Sequence, residues 1–389
     1  MGAPSISISF IEKAISAITR GERGIVMLWV KDTMPVPDNP VTIVTESDIP
    51  EGLSEKTIEQ IKLAMKGYIN APKKILVYGM GITEEGTGED GETTDITAGY
   101  KKAMEVSEVT RFDYLAIPTV ATDGKAEDIA TWVKSMRGNK KKKIKAVLPC
   151  TPADTEGVIN FTTAESIKTE TVTKEDGTKE VVNVVYTAEQ YCARIAGIIA
   201  GTPMTIACTY APLPELSDCT RLADIDTPVD KGELILFYDG EKVKIARGVN
   251  SFVTTIDGKG DSFKKIKIVD AMDMINDDIV KTAQDSYLGK YANSYSNKCL
   301  LVSAIDSYFK QLNTDGIVGS YSVALDAEAV RIYLKGRGQQ AVLENGETKD
   351  VDECSDEEII TADTGSQVFL VGRVKILDAI EDITLPIYI

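Results

Sequence analysis

Short apolar runs alternate with amphipathic stretches through the first 150 residues, and this alternation restricts the fold more than any other feature. Residues 25–30, 41–44, 75–78, 114–117 and 144–148 have the length and the Val/Ile-rich character of strands. Between them the pattern switches to helical spacing. Ser54 is placed as an N-cap ahead of Ile58, Ile61, Met65 and Tyr68 on one face, with Pro72 as the stop. Further helices are predicted over residues 94–106 and 125–136. Apolar strands separated by helices predict an α/β domain with a largely parallel sheet.

Beyond residue 150 the pattern changes. Residues 167–173 and 180–185 flank Asp176-Gly177, and residues 234–238 and 242–247 flank Asp239-Gly240; both read as hairpins. A helix over residues 188–200 lies between them, and 249–256 continues the β-rich stretch. From Lys264 the chain turns helical, with Ile268, Met272, Ile275, Ile279, Ala283 and Tyr287 on one face. Asp273, Asp277 and Lys281 take the other side; for the paired acids Asp277-Asp278 on a helix surface, solvated charge is the default expectation. A helix bearing Leu301, Ile305, Tyr308 and Leu312 follows, then another over 327–334. A hairpin at Asn345-Gly346, an acidic loop over 350–358 and a strand over 369–376 come next. The expected organisation is an arm over 1–20, an α/β domain with β-rich insertions over 21–262, an α+β domain over 263–376 and a second arm over 377–389.

Both ends alternate strictly. Ile6, Ile8 and Phe10 interleave with serines, and Ile383, Leu385, Ile387 and Ile389 repeat at every second position to the last residue. A strand with an apolar face needs a partner for that face and for its backbone groups. Either both ends tuck into the subunit's own sheet, or each is added to a neighbour's sheet by β-augmentation. Periodicity leaves the two open.

The residues that carry most catalytic chemistry are sparse. The chain has no histidine, which removes Ser-His-Asp and Cys-His arrangements and His-based zinc sites. A net charge of −17 repels phosphate backbones, so no direct nucleic-acid partner is expected. Gly86-Thr87-Gly88-Glu89-Asp90-Gly91 spells a dinucleotide-loop pattern, but Glu84, Glu85, Glu89, Asp90 and Glu92 give it the phosphate's own sign. An exposed acidic loop is the better account. Lys140–Lys143 with Lys145 reads as a solvated basic loop. Six scattered cysteines without a Cys-x-x-Cys pair read as reduced and mostly buried. No cofactor, metal or catalytic residue is expected, nor a signal peptide or membrane insertion, and an α/β enzyme or nucleotide-binding protein is the alternative.

Several segments resemble contractile-tail sheath proteins of Gram-positive phages, defective prophages and R-type bacteriocins. They are Arg111-Phe112-Asp113-Tyr114-Leu115-Ala116-Ile117-Pro118, Ala193–Pro203 followed by Thr209–Pro214, Arg247–Phe252 after the Asp239-Gly240 hairpin, and Phe263–Ile275 leading to Tyr287-Leu288-Gly289-Lys290. Their order across residues 111–310 carries the likeness. The resemblance implies a structural subunit and not an enzyme, stacked as hexameric rings around an inner tube and contracting to drive the tube through a cell envelope. It makes Ile6, Ile8, Phe10, Ile383, Leu385, Ile387 and Ile389 inter-subunit strand residues, with 11–24 and 377–382 as flexible connections. It also implies that the helix bearing Asp273, Asp277 and Lys281 faces the tube. Implied partners are further copies of the chain, the tube protein, and baseplate and terminator proteins. The implied location is the bacterial cytoplasm during assembly and then the released particle.

Overall fold

The computed structural model describes residues 17–82, 96–173 and 178–389. The chain divides into two compact units, residues 22–273 with 378–389, and the N-terminal residues through Gly21 with 274–377. Ile6, Ile8, Phe10 and the glycine motif at 86–91 lie outside the described residues, as does the Asp176-Gly177 turn.

The larger unit is built on a seven-stranded sheet. Its strands are β1 (Ile25–Val30), β2 (Val41–Ile43), β3 (Lys74–Gly79), β4 (Tyr114–Ala116), β5 (Lys145–Pro149), β6 (Val158–Phe161) and, far along the chain, Glu233–Leu234. Their spatial order places Glu233–Leu234 first, then β6, β5, β4, β1, β3 and β2. Every pairing is parallel except β2 with β3. The order reverses between β1 and β4, because β3 lies on one side of β1 and the later strands on the other.

Alternation along β1 explains why both faces of the sheet are dry. Val26, Leu28 and Val30 join one apolar cluster with residues of α1 (Glu55–Met65). Ile25, Met27 and Trp29 join the other with residues of α2 (Ile96–Val109) and α3 (Ala126–Gly138). Trp29 keeps its indole N–H satisfied by donating to Ser107 Oγ at 3.1 Å.

Next comes the hairpin β7 (Glu165–Thr173) and β8 (Lys179–Thr187), with Asp218–Cys219 (β9) on the other edge of β7. β8 runs into α4 (Ala188–Ala200), which Thr187 opens with a reciprocal capping box to Gln190. α4 packs closely on α1. A Cβ on Gly197 would stand 2.0 Å from the Ala64 carbonyl oxygen, so only glycine admits that approach. Arg194, buried on the same helix, donates to Gly67 O at 2.6 Å and to Glu215 Oε1 at 2.5 Å. After the short helix α5 (Asp226–Asp230) the sheet's outermost strand is β10 (Glu233–Leu234), and β11 (Leu236–Tyr238) with β12 (Val243–Ile245) forms the expected Asp239-Gly240 hairpin. The β-rich continuation expected over 249–256 forms no strand, only isolated bridges at Val249 and Ile256.

α6 (Ile266–Thr282) crosses the division between units after Asp273. In the smaller unit it is followed by α7 (Tyr295–Thr314), β13 (Val318–Leu325), α8 (Ala327–Gly336), the hairpin β14 (Ala341–Val342) and β15 (Thr348–Lys349), α9 (Asp356–Ile359) and β16 (Leu370–Ile376). β13 and β16 pair antiparallel as a two-stranded sheet. One face leans on α7, where Phe309 and Tyr321 lie 5.9 Å apart between ring centres. A separate small core of Val330, Leu334, Leu343, Val351 and Ile359 holds α8, α9 and the hairpin.

The expected mixed α/β fold with a largely parallel sheet is present. Three details differ from expectation. β6 and β13 are strands that periodicity did not mark. Asp278 is buried, accepting from Tyr308 Oη at 2.8 Å and Gly21 N at 2.9 Å, so it is not a solvated surface charge. The stripe from Met272 to Tyr287 is only half-buried.

Candidate assembly site

Two features of the larger unit bear on function: a buried ionic cluster at the start of α6, and the segment 378–389. The cluster collects residues that stand far apart in sequence. Arg137, on α3, grips Asp273 through both terminal nitrogens at 2.9 and 3.0 Å. Lys145, the first residue of β5, reaches Asp270 at 2.8 Å and Asp273 at 2.6 Å. Tyr114 donates to Asp270 at 2.6 Å, and Arg23 and Asp113 pair at 3.0 Å. Asp273 is 3% exposed and Lys145 is 2% exposed. This corrects two expectations. Asp273 belongs to the interior and not to a solvated face, so it is withdrawn from the tube-facing set, and Lys145 is not part of a solvated basic loop.

Burial pushes the carboxyls of this cluster up, but not equally. For Asp273 the ammonium of Lys145 and the guanidinium of Arg137 outweigh burial and hold it below the ordinary carboxylate value. For Asp270 burial wins and the carboxyl is raised. Lys145 and Arg137 are both held in their charged forms against burial by these same acids. A paired interior cluster of this kind fixes the first turns of α6; its charges are spent on one another and offer no free acid or base.

Segment 378–389 has two parts. Asp378, Glu381 and Asp382 face a basic patch: Lys265 bonds Asp378 and also Glu381, the latter at 3.2 Å. Arg247 holds both oxygens of Asp382 at 2.6 Å, and Thr209 donates to Glu381 at 2.5 Å. The stretch 377–382, expected as a free connection, is therefore held down. Beyond it the chain makes no strand, and Ile383, Leu385 and Ile387 are 83%, 74% and 77% exposed, with Ile389 also exposed. Asp277 is half-buried and Lys281 exposed, each on the smaller unit's part of α6.

A cavity of about 190 Å³ opens at the carboxyl ends of β1 and β4, the position where open α/β sheets take ligands. Part of its polar lining is engaged internally, since Lys31 pairs with Asp123 and Tyr186 donates to Glu59 at 2.6 Å, while the buried Gln60 Oε1 has no hydrogen-bond partner. Among the described residues no group of three or more His, Cys, Asp or Glu could hold a metal ion, and no helix is long and apolar enough to cross a membrane. The six cysteines are free thiols, four of them buried.

Comparison with known proteins decides what this arrangement belongs to. The model of the phage tail sheath protein central domain matches residues 94–251, and that of the phage tail sheath C-terminal domain matches 258–389. The tail sheath protein of Clostridium phage phiCD119 is 35% identical over 389 residues, 99% of each chain. The chain belongs to the phage tail sheath family. The XkdK protein of the phage-like element PBSX of Bacillus subtilis is 28% identical over 191 residues, 48% of this chain and 38% of that one. Two solved sheath proteins share the fold. That of Desulfitobacterium hafniense has a TM-score of 0.67 at 18% identity, covering 96% of this chain and 100% of its own. The helical sheath of the anti-feeding prophage in the contracted state has a TM-score of 0.62 at 13% identity, covering 100% and 98%. The relatives are structural proteins of phage tails, which points away from enzymatic activity.

Proposed function

We propose that this chain is the repeating subunit of a contractile tail sheath, stacking as hexameric rings around an inner tail tube. Contraction of that lattice drives the tube through a target cell envelope. The subunit is made in the bacterial cytoplasm and ends in the released particle, with the tube, baseplate and terminator proteins as its other partners. Of the helix expected to face the tube, Asp277 and Lys281 remain candidates for contact.

The observation that carries the reading is the exposed alternation of Ile383, Leu385 and Ile387. Three large apolar side chains on one face of an extended segment are unfavourable in water, at roughly 1.5–3 kcal/mol each relative to burial. Among the described residues the two-stranded sheet of β13 and β16 has no partner on either outer edge. An arm from one subunit added to such an edge in another satisfies both at once. Pro386 has no N–H, and in an extended strand it shares an edge with Thr384 and Tyr388. The opposite edge, with Ile383, Leu385 and Ile387, keeps its full set of donors and is the one suited to pairing. Ile6, Ile8 and Phe10 are assigned the same role at the other end.

Negative-stain microscopy of the purified protein tests this. The expected result is hollow cylinders of stacked rings from the full chain and none from a chain lacking 383–389, with both chains equally folded by circular dichroism. Regular cylinders from the truncated chain would overturn strand donation at this end.

A further inference from the structure

Arm donation as proposed leaves open where the arm begins, and the contacts at residues 378–382 answer that. We propose that Thr209, Arg247 and Lys265 form a docking cradle for the acidic root Asp378–Asp382, and that Glu381 is the positioning residue that fixes the exit point of the arm. The inference rests on the strand-donation reading for its purpose, but not for its geometry.

Glu381 is the centre of the arrangement. Its side chain is 7% exposed although it sits in a segment with no helix or strand. One carboxylate oxygen accepts from Thr209 Oγ1 at 2.5 Å; the other faces Lys265 Nζ at 3.2 Å and Arg247 Nε at 3.6 Å. Thr209 is itself held, because its hydroxyl oxygen accepts from Gly248 N at 3.0 Å. Asp378 on Lys265 and Asp382 on Arg247 flank this core on either side. A carboxylate this enclosed, with a hydroxyl donor on one oxygen and two cations beside the other, is a docked group and not a passing surface contact.

The consequence is one of reach. If the whole segment 378–389 were free, its twelve residues would span up to about 40 Å at ~3.3 Å each. With the root docked, only the seven residues 383–389 leave the body, and their reach falls to about 23 Å. A shorter tether restricts the edges an arm can meet to those nearest its exit, and so selects the neighbour.

Digestion of the full-length subunit with a protease that cuts after glutamate tests the cradle. Cleavage after Glu381 is compared with cleavage after Glu353, which is exposed. In the native chain the Glu381 site is expected to be cut at least tenfold more slowly. Lys265→Ala and Arg247→Gln should abolish most of that difference, while Lys265→Arg should keep it. Undocking is read as faster cleavage at Glu381 with the rate at Glu353 unchanged, whereas a variant that fails to fold would accelerate both sites; Asp382→Asn, at an exposed carboxylate, gives a milder second variant with a smaller rise. Equal cleavage at both sites in the native chain, or a ratio unmoved by Lys265→Ala, overturns the cradle. Cylinders formed by a chain lacking 383–389 would overturn strand donation while leaving a protected Glu381 standing, so the two failures are distinguishable.

Discussion

The two units solve the problem of their sheets in opposite ways. In the larger, the central strands are buried from end to end: every residue of β1, β5 and β6 is inside, and helices cover both faces. In the smaller, β13 and β16 alternate between half-buried and exposed, and their outer edges have no strand among the described residues. A sheet covered on both faces keeps its shape whatever surrounds it. An open one has binding capacity left over, at the cost of depending on a neighbour for completion.

The contrast breaks first at the ionic cluster. Asp273→Ala should cost about 3–5 kcal/mol in denaturant unfolding, because it takes from the buried Arg137 its bidentate partner and leaves Lys145 with Asp270 alone. A loss under 1 kcal/mol would show that the larger unit does not depend on its interior charges. Next is Gly197→Ala. The added methyl would press on Ala64, and overpacking of about 1–3 kcal/mol should exceed the ~1 kcal/mol that alanine gains over glycine within a helix. A stabilised variant would mean that α1 and α4 can part.

Acid sharpens the comparison further. Asp273 is held below its ordinary value of 3.8, so its contribution to stability is complete above about that pH and lost as pH falls through its folded value. Asp270, raised by burial, works in the other direction: its contribution is full below 3.8 and lost as pH rises through its folded value. Unfolding followed from pH 6 down to pH 2 should therefore show a loss beginning below about pH 4 that is shallower in Asp273→Asn. An unchanged slope in that variant would remove Asp273 from the acid response. The smallest effect on the free subunit belongs to the arm. Leu385→Asp should move stability by less than about 0.5 kcal/mol, since the side chain is already 74% exposed, yet prevent cylinders from forming.

The sequence was most legible where local chemistry and burial agree. The β1, β3, β4 and β5 runs, the Ser54 cap and the Asp239-Gly240 turn each announce themselves within a few residues. β13 did not, because Gly319-Ser320-Tyr321-Ser322 mixes small and polar residues in a strand that buries only part of one face. The ionic cluster was invisible for a different reason. Arg137 and Asp273 are 136 residues apart, and nothing in the spacing of a lysine run or an amphipathic helix says that Lys145 and Asp273 will meet inside. The alternation of the last residues was legible. That their root is docked by Thr209, Arg247 and Lys265 was not, since each cradle residue comes from a different turn of the chain.

The exposed arm also poses a solubility problem for any cell that makes many copies. Apolar side chains bared on an extended segment invite indiscriminate sticking. The net charge of −17 opposes it, because similarly charged bodies repel as they collide. Under the proposed strand donation, an encounter that lays this segment on a fitting edge is the kind whose contacts offset that repulsion.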